Sequence, residues 1–243
     1  MILASILITS DDRESAVLPP KVRENIDSFR KVHPGIAHRL FTGAMSREFL
    51  EKEFGREVVS AYDALTPYTY KANLARYCIL HRFGGVYSDV SCFFFGSWLP
   101  AGDDGSRIGV FPARIAAPWS VPPTIVYAPQ GHKALARAIE LVLENVRKRY
   151  YGSTPLCPTG TVLFGKALAL TCEPDEIRMG WARWVQPAGK LAGLLSETNI
   201  GFFDGQTLIA VKRKKGGGPQ TELGIRGGND YTVLWKQRSV YAD

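Results

Sequence analysis

The residues best suited to chemistry lie in one stretch, Lys71–Ser91, which reads KANLARYCILHRFGGVYSDVS. Asn73 and Arg76 are three positions apart, so on a helix they share one face. Asp89 falls near the end of a strand that follows the glycine pair, and ligands of open α/β sheets bind at the carboxyl ends of strands. An amide, a guanidinium and a carboxylate meeting there suit a polyhydroxylated, anionic ligand. A surface helix with ordinary polar residues, followed by a turn, is the alternative.

Short β-branched runs alternate with amphipathic runs along the chain, which predicts an α/β fold. The predicted strands are Ile2–Ile8, Ala37–Phe41, Val86–Val90, Ile108–Phe111 and Thr124–Tyr127, with short strands near Trp184 and at Leu208–Val211. The predicted helices are one opened by Pro20, one capped by Ser46 and ended by Gly55, and then Tyr70–Phe83, Gly131–Arg149 and Thr161–Thr171. From Lys212 the chain becomes basic and then glycine-rich, which predicts a mobile loop.

Length and composition narrow the protein class. The 243 residues suit one large domain spanning 1–243, and 11% aromatic residues exclude collagen, coiled coil and wholesale disorder. The net charge of +7 lies entirely in residues 111–243, which favours an anionic partner for that half. No apolar run approaches the ~20 residues of a membrane span, and Met1–Ser10 is interpreted as a buried strand rather than a signal peptide. The four cysteines lack zinc-site spacing and are expected to be buried thiols.

Residues 67–100 resemble the donor-binding core of family-32 glycosyltransferases and their relatives, the clostridial glucosylating toxins. That family pattern is a Lys-Ala-Asp-x-x-Arg-Tyr helix, then Gly-Gly-[Ile/Val]-Tyr, then an Asp-x-Asp strand end. Weaker similarity appears at Leu18-Pro19-Pro20, at Pro158-Thr159-Gly160 and in the C-terminal run from Gly228 to Tyr241. The resemblance implies the GT-A fold, a Rossmann-like nucleotide-sugar-binding α/β domain, with residues 1–110 as the donor-binding half and 111–243 as the acceptor side with a closing basic loop.

The resemblance also implies roles for individual residues. Arg76 and Asn73, which stands where the family usually has Asp, would hold the donor sugar, and Asp89 would lie near the ribose, the sugar and a metal ion. Asp89 and Arg76 are therefore the candidate catalytic residues. The other candidate donor-binding residues are Lys71, Tyr87, Ser91, Trp235, Ile8 and Thr9, and the Asp11-Asp12 turn would lie by the nucleotide.

Ser91 occupies the position of the second aspartate, which is the direct metal ligand in the family. A neutral hydroxyl is a poor ligand for Mg²⁺ or Mn²⁺, so three alternatives remain: a site built with other groups, weak binding, or no metal. Asn229 and Asp230 are the candidates to complete a metal site with Asp89 and Ser91. Alternatively, the basic segment that begins at Lys212 folds over the diphosphate, unless it is only a solvated loop.

The leading function is a retaining transfer of sugar from a UDP- or GDP-sugar donor to a glycan, surface-polysaccharide or lipid-linked acceptor. A decayed transferase that only binds sugar nucleotides or glycans is the alternative. Nucleic acid is an improbable partner because no recognised module is present. The resemblance favours a cytoplasmic protein, with peripheral contact at the inner membrane face. The tryptophans that would line an acceptor groove, or else belong to the core or its rim, are Trp98, Trp119, Trp181 and Trp184.

Overall fold

The computed structural model describes residues 1–10, 17–100, 105–113, 116–214 and 220–242. Its helices are α1 (Pro20–Lys31), α2 (Gly43–Phe54), α3 (Arg56–Ala64), α4 (Tyr68–Phe83), α5 (Lys133–Arg147), α6 (Thr161–Thr171) and α7 (Tyr231–Lys236). Its strands are β1 (Ile2–Ile6), β2 (His38–Phe41), β3 (Gly85–Ser88), β4 (Cys92–Phe94), β5 (Ile108–Val110), β6 (Ile125–Ala128), β7 (Ile177–Met179), β8 (Trp181–Val185), β9 (Asn199–Asp204) and β10 (Thr207–Lys212). Within these residues, no helix has both the length and the apolar character that a membrane span requires.

The main sheet has the strand order β2-β1-β3-β6-β5-β7. Strand β1 is parallel to both β2 and β3, and β6 is antiparallel to its two neighbours. From β1 the chain passes through α1 to β2 on one side, then through α2, α3 and α4 to β3 on the other side. Strand order therefore reverses at β1, and the carboxyl ends of β1 and β3 flank the crevice where such sheets bind ligands.

Helix α4 is a central core element rather than a surface helix. It packs against α2, α3, α5, α7, β1 and β3. Nearly every side chain from Asn73 to Leu80 is buried, and the polar residues Asn73 and Arg76 are only 4% and 5% exposed. The alternative of an ordinary polar surface helix is therefore wrong. Buried polar groups need partners, so the side chains of these two residues must be explained by what they contact.

The glycine pair after α4 is required by a close approach of two backbones. Gly84 ends the helix with φ +62°, and Gly85 starts β3 with φ +116°. A Cβ atom on Gly85 would lie 2.0 Å from the carbonyl oxygen of Ile2 in β1. Only glycine combines this positive φ with that spacing, so the pair fixes where β3, and with it Asp89, begins.

A second, four-stranded sheet has the order β4-β10-β9-β8 and is antiparallel throughout. Strand β4 follows directly after Asp89, and its partner β10 is the strand that ends at Lys212. Strands β4, β7 and β9 and helices α3 and α7 were not predicted. Helix α2 is capped by Thr42, whose Oγ1 accepts from the Met45 amide, rather than by Ser46.

The sequence predicts a mobile loop at residues 212–226, and for residues 220–226 this is wrong. Leu223 and Ile225 pack with Val22, Ile26 and Val90 in one apolar cluster. Val240 is fully buried, and Tyr241 forms a bridge with Leu65. The run 215–219, which contains the glycines Gly216–Gly218, lies outside the described residues.

Buried histidines make the stability of this fold sensitive to acid. Burial lowers the pKa of His38 from 6.5 to about 4, helped by Arg30 and opposed by Asp27. Between pH 6.5 and 4 the His38 side chain is therefore protonated in the unfolded chain but not in the folded chain. Its contribution to the free energy of unfolding is fully present above pH 6.5 and falls as the pH drops towards 4. We expect a loss of about 1–3 kcal/mol from this site.

Thermal unfolding followed by circular dichroism at a series of pH values checks this expectation. His38→Gln keeps a donor near the Ser5 hydroxyl, which lies 3.2 Å from Nε2 of His38, but cannot titrate. Its melting temperature should fall less between pH 6.5 and 4 than that of the wild type. Equal falls for the two proteins would contradict the assignment.

Candidate active site

Asp89, Arg76 and Tyr87 form one hydrogen-bonded cluster at the carboxyl end of β3. Oδ1 of Asp89 lies 3.1 Å from Nη2 of Arg76 and accepts a 3.0 Å hydrogen bond from the Tyr87 hydroxyl. The guanidinium lies over the Tyr87 ring at 4.3 Å, and it also donates to the carbonyls of Pro123 and Ala72. Arg76 is thus held by three protein groups, and it orients the Asp89 carboxylate.

The exposure of the cluster shows which atoms can reach a ligand. The Arg76 side chain is 6% exposed and that of Asp89 is 26% exposed. Burial raises the pKa of Tyr87 well above its usual range, so its hydroxyl stays protonated and donates to Asp89. Among the described residues, the ion pair with Arg76 and the hydrogen bond from Tyr87 both reach Oδ1 of this carboxylate rather than Oδ2.

Asn73 and Lys71 make their hydrogen bonds to groups other than Asp89. The Asn73 amide donates a 3.0 Å hydrogen bond to Oγ1 of Thr159, in the turn that precedes α6. The Lys71 ammonium donates 2.7 Å to the Tyr62 carbonyl at the end of α3, and burial lowers its pKa. Asn73 and Arg76 were expected to bind one ligand together. Instead, each side chain is hydrogen-bonded to a different loop.

The carboxyl end of β1 meets the C-terminal segment. Ile8 is buried in the main core, whereas Thr9 is partly exposed at the crevice. The Ser10 amide donates a 2.7 Å hydrogen bond to the carbonyl of Gly227. Gly227 has φ +71°, and a Cβ there would lie 2.4 Å from the Ser10 hydroxyl oxygen. Asp11 and Asp12 lie outside the described residues.

Asn229 and Asp230 serve helix ends. Oδ1 of Asn229 accepts from the Tyr68 amide at 2.9 Å and its Nδ2 donates to the Thr66 carbonyl at 3.0 Å, so Asn229 caps α4. Oδ1 of Asp230 accepts from the first amides of α7. Trp235, on α7, donates from Nε1 to the Tyr151 carbonyl at 2.9 Å. These contacts anchor the C-terminal segment beside the crevice.

Comparison with known proteins finds a similar region. Residues 19–104 match the model described as a glycosyltransferase sugar-binding region containing a DXD motif. This match supports a glycosyltransferase family for the chain. The matched region includes α4, β3 and the whole Arg76–Asp89–Tyr87 cluster.

Individual relatives agree with this family. A stretch of 73 residues, 30% of this chain, is 32% identical to an uncharacterized glycosyltransferase of Acanthamoeba polyphaga mimivirus and covers 29% of it. A putative glycosyltransferase of Saccharomyces cerevisiae is 25% identical over 54% of this chain and 37% of its own length. The chain thus spans about a third of the length of these curated relatives.

A solved structure supports the fold. The PaToxG glycosyltransferase superposes with a TM-score of 0.50 at 15% identity, covering 69% of this chain and 67% of its own. The α/β architecture predicted from the sequence is confirmed, and it is of the GT-A type. At this level of identity the likeness concerns the fold alone.

The residues of this site do not fit a divalent-ion site of the Asp-x-Asp kind. Oδ1 of Asp89 is held by Arg76 and Tyr87, and Ser91 offers a neutral hydroxyl in a residue that is 5% exposed. The side chains of Asn229 and Asp230 are engaged as caps. Within the described ranges, no three His, Cys, Asp or Glu residues are grouped as metal ligands.

Sequence reasoning missed several residues that build this site. The Thr159 hydroxyl accepts from Asn73, and the Pro123 carbonyl accepts from Arg76. The sequence marks Thr159 only as part of the weak Pro158-Thr159-Gly160 similarity, and it does not mark Pro123. Among the tryptophans, Trp98 is fully buried and belongs to the core, whereas Trp119, Trp181 and Trp184 are 51–71% exposed. Tyr62 is 3% exposed, and its hydroxyl donates to the Gly43 carbonyl.

Proposed function

We propose that this glycosyltransferase moves a sugar from a nucleotide-sugar donor to a hydroxyl of a glycan acceptor, with retention of anomeric configuration. The observation that supports it is the Asp89 carboxylate, fixed by Arg76 and Tyr87 at the carboxyl end of β3 and beside the β1/β3 crevice. A partly exposed carboxylate with one oxygen already held can accept hydrogen bonds from ribose or sugar hydroxyls through the other.

Each group in the cluster has a defined task in this proposal. Asp89 contacts the donor. Arg76 and Tyr87 position the Asp89 carboxylate and do not contact the donor themselves. The nucleotide occupies the crevice near Thr9 and the Gly227 backbone. A preorganised carboxylate loses little freedom on binding, and such orientation contributes much of an enzyme's rate enhancement.

Retention follows, in this proposal, from attack by the acceptor hydroxyl on the face from which the diphosphate leaves. The transition state resembles an oxocarbenium ion, and the neighbouring carboxylate of Asp89 favours the positive charge that develops on the sugar. No side-chain nucleophile is invoked, since catalysis depends on positioning and on stabilising the leaving group.

Two exposed tryptophans are candidates to bind the sugar acceptor. Trp181 and Trp184 on the edge strand β8 are 66% and 71% exposed, and indole rings suit stacking against sugars. We propose a surface-polysaccharide or lipid-linked acceptor, with the chain in the cytoplasm at the inner membrane face. The basic second half of the chain would favour contact with anionic lipid there.

Incubation with a panel of UDP- and GDP-sugars, with simple sugar acceptors, tests the function. Nucleotide release and the anomeric configuration of the product are followed by chromatography and NMR. Turnover with retained configuration is expected for at least one donor. Tight nucleotide binding without turnover across the panel would instead support the decayed transferase, and an inverted product would overturn retention.

A further inference from the structure

The basic run that ends β10 passes directly beside Asp89. Lys212 is paired with Cys92 in the β10–β4 ladder, and the next residue, Arg213, donates its amide to the Ser91 carbonyl at 2.8 Å. The Cys92 amide in turn donates to the Asp89 carbonyl. The backbone of the basic run therefore lies alongside Asp89–Cys92, where the family's metal-binding motif would be.

The three basic side chains do not all face the same way. Arg213 turns towards α1, where Nη1 lies 2.7 Å from Oε2 of Glu24 and 3.2 Å from Oδ1 of Asn25, and its side chain is 6% exposed. Lys212 is the last residue of β10 and lies directly opposite Cys92, so the two side chains share one face of the ladder. Lys214 is two residues further along, where the charges of both Lys212 and Asp89 act on it.

The charges around Cys92 and Lys214 are consistent with this placement. The pKa of Cys92 is raised to about 12, mainly by burial, and the charges of Asp89 and Lys212 both act on this thiol. Burial lowers the pKa of Lys214, Lys212 lowers it further, and Glu222, Asp89 and Asp230 raise it. The two ammonium groups are thus close enough to feel each other, and Lys214 is within the field of Asp89.

We propose that Lys212 and Lys214 bind the diphosphate of the donor and neutralise the leaving group in the position that a divalent ion occupies in Asp-x-Asp enzymes. This inference rests on the proposed function. The residues around Ser91 do not suit a metal ion, and two ammonium groups lie on the chain next to them. The lysines could therefore supply the positive charge that a metal ion would otherwise provide. Lysine is a common phosphate ligand that acts as a point charge.

The transfer step balances without a metal. The bond between the anomeric carbon and the diphosphate oxygen breaks, and its electron pair stays on that oxygen. The acceptor oxygen forms the new bond to the anomeric carbon, and its proton passes to the departing diphosphate. The two ammonium groups stabilise the charge that accumulates on the leaving oxygens.

The experiment measures binding of UDP and of GDP by isothermal titration calorimetry, in EDTA and in Mn²⁺. For the wild type, we take whichever of UDP and GDP binds more tightly. We expect its dissociation constant to be the same in both buffers within about twofold. The Lys212→Gln/Lys214→Gln variant should bind about 10- to 100-fold more weakly, the effect of losing charge-assisted phosphate contacts. Lys52→Gln/Lys166→Gln removes the same charge from exposed helix positions and should bind as the wild type does.

Three results would overturn the inference. Wild-type binding that disappears in EDTA and returns with Mn²⁺ would overturn the lysine site while leaving the proposed function standing. Unchanged binding by the Lys212→Gln/Lys214→Gln variant, with circular dichroism matching the wild type, would do the same. Absence of nucleotide binding in both buffers would overturn the lysine site and the proposed function together.

Discussion

Asp89→Asn is expected to reduce sugar transfer by about 10²- to 10³-fold, the usual cost of removing one group that stabilises transition-state charge. Asparagine is nearly the same size and can still accept from Tyr87 and Arg76 through its oxygen. It loses the negative charge that acts on the donor sugar, and it presents an amide nitrogen to the crevice. The measurement is kcat and KM for nucleotide release with the best donor.

A matched surface variant makes this result interpretable. Asp63→Asn also removes one carboxylate, from the 2.9 Å ion pair with Arg47, where both side chains are 45% exposed. It should leave kcat and KM unchanged, since exposed ion pairs contribute little. Melting curves for both variants separate loss of chemistry from loss of fold. A folded Asp89→Asn protein with wild-type kcat would remove Asp89 from the catalytic machinery.

Gly85→Ala is expected to have the largest effect on stability, a loss of roughly 3–5 kcal/mol in the free energy of unfolding. The added methyl group would lie 2.0 Å from the Ile2 carbonyl oxygen, a backbone atom that cannot rotate away, at a φ of +116°. Since domains are typically stable by only 5–15 kcal/mol, much of the variant should be unfolded or aggregated. Urea denaturation measures the effect.

Gly131→Ala is the control that measures the cost of the backbone conformation alone, without a steric contact. Gly131 also has a positive φ, +75°, but nothing lies within 4 Å of a Cβ placed there. Its loss should be only about 1–2 kcal/mol, the cost of a left-handed backbone for an L-residue. Equal losses for the two variants would show that the approach of β3 to β1 does not constrain Gly85.

The part of the site carried by one continuous stretch was accessible from the sequence. The periodicity of α4, the Gly84-Gly85 stop and the following strand are local signals, and they put Arg76 and Asp89 on adjoining elements. The family resemblance pointed to the same stretch. Even so, the sequence suggested that Arg76 holds the sugar, whereas its burial and its three protein partners make it the support for Asp89.

The remaining parts depend on contacts between distant residues. Strand β4 has three residues and is defined by its pairing with β10. It contains no run of β-branched residues that would have predicted a strand. Asn229 caps a helix that begins at Tyr68, and its own neighbours in sequence give no sign of this. The position of the basic run beside Asp89–Cys92 was likewise unpredictable, because the register of β10 against β4 decides it.

The contacts of the C-terminal segment have a consequence for the order in which the crevice forms. The Gly227 carbonyl accepts from the Ser10 amide, Asn229 caps α4, and the Val240 carbonyl accepts from the Thr66 amide. These partners lie far along the chain from β1 and α4, and contacts between such distant positions form slowly. We therefore expect the wall of the crevice that the C-terminal segment provides to form late in folding, after α4 and β3.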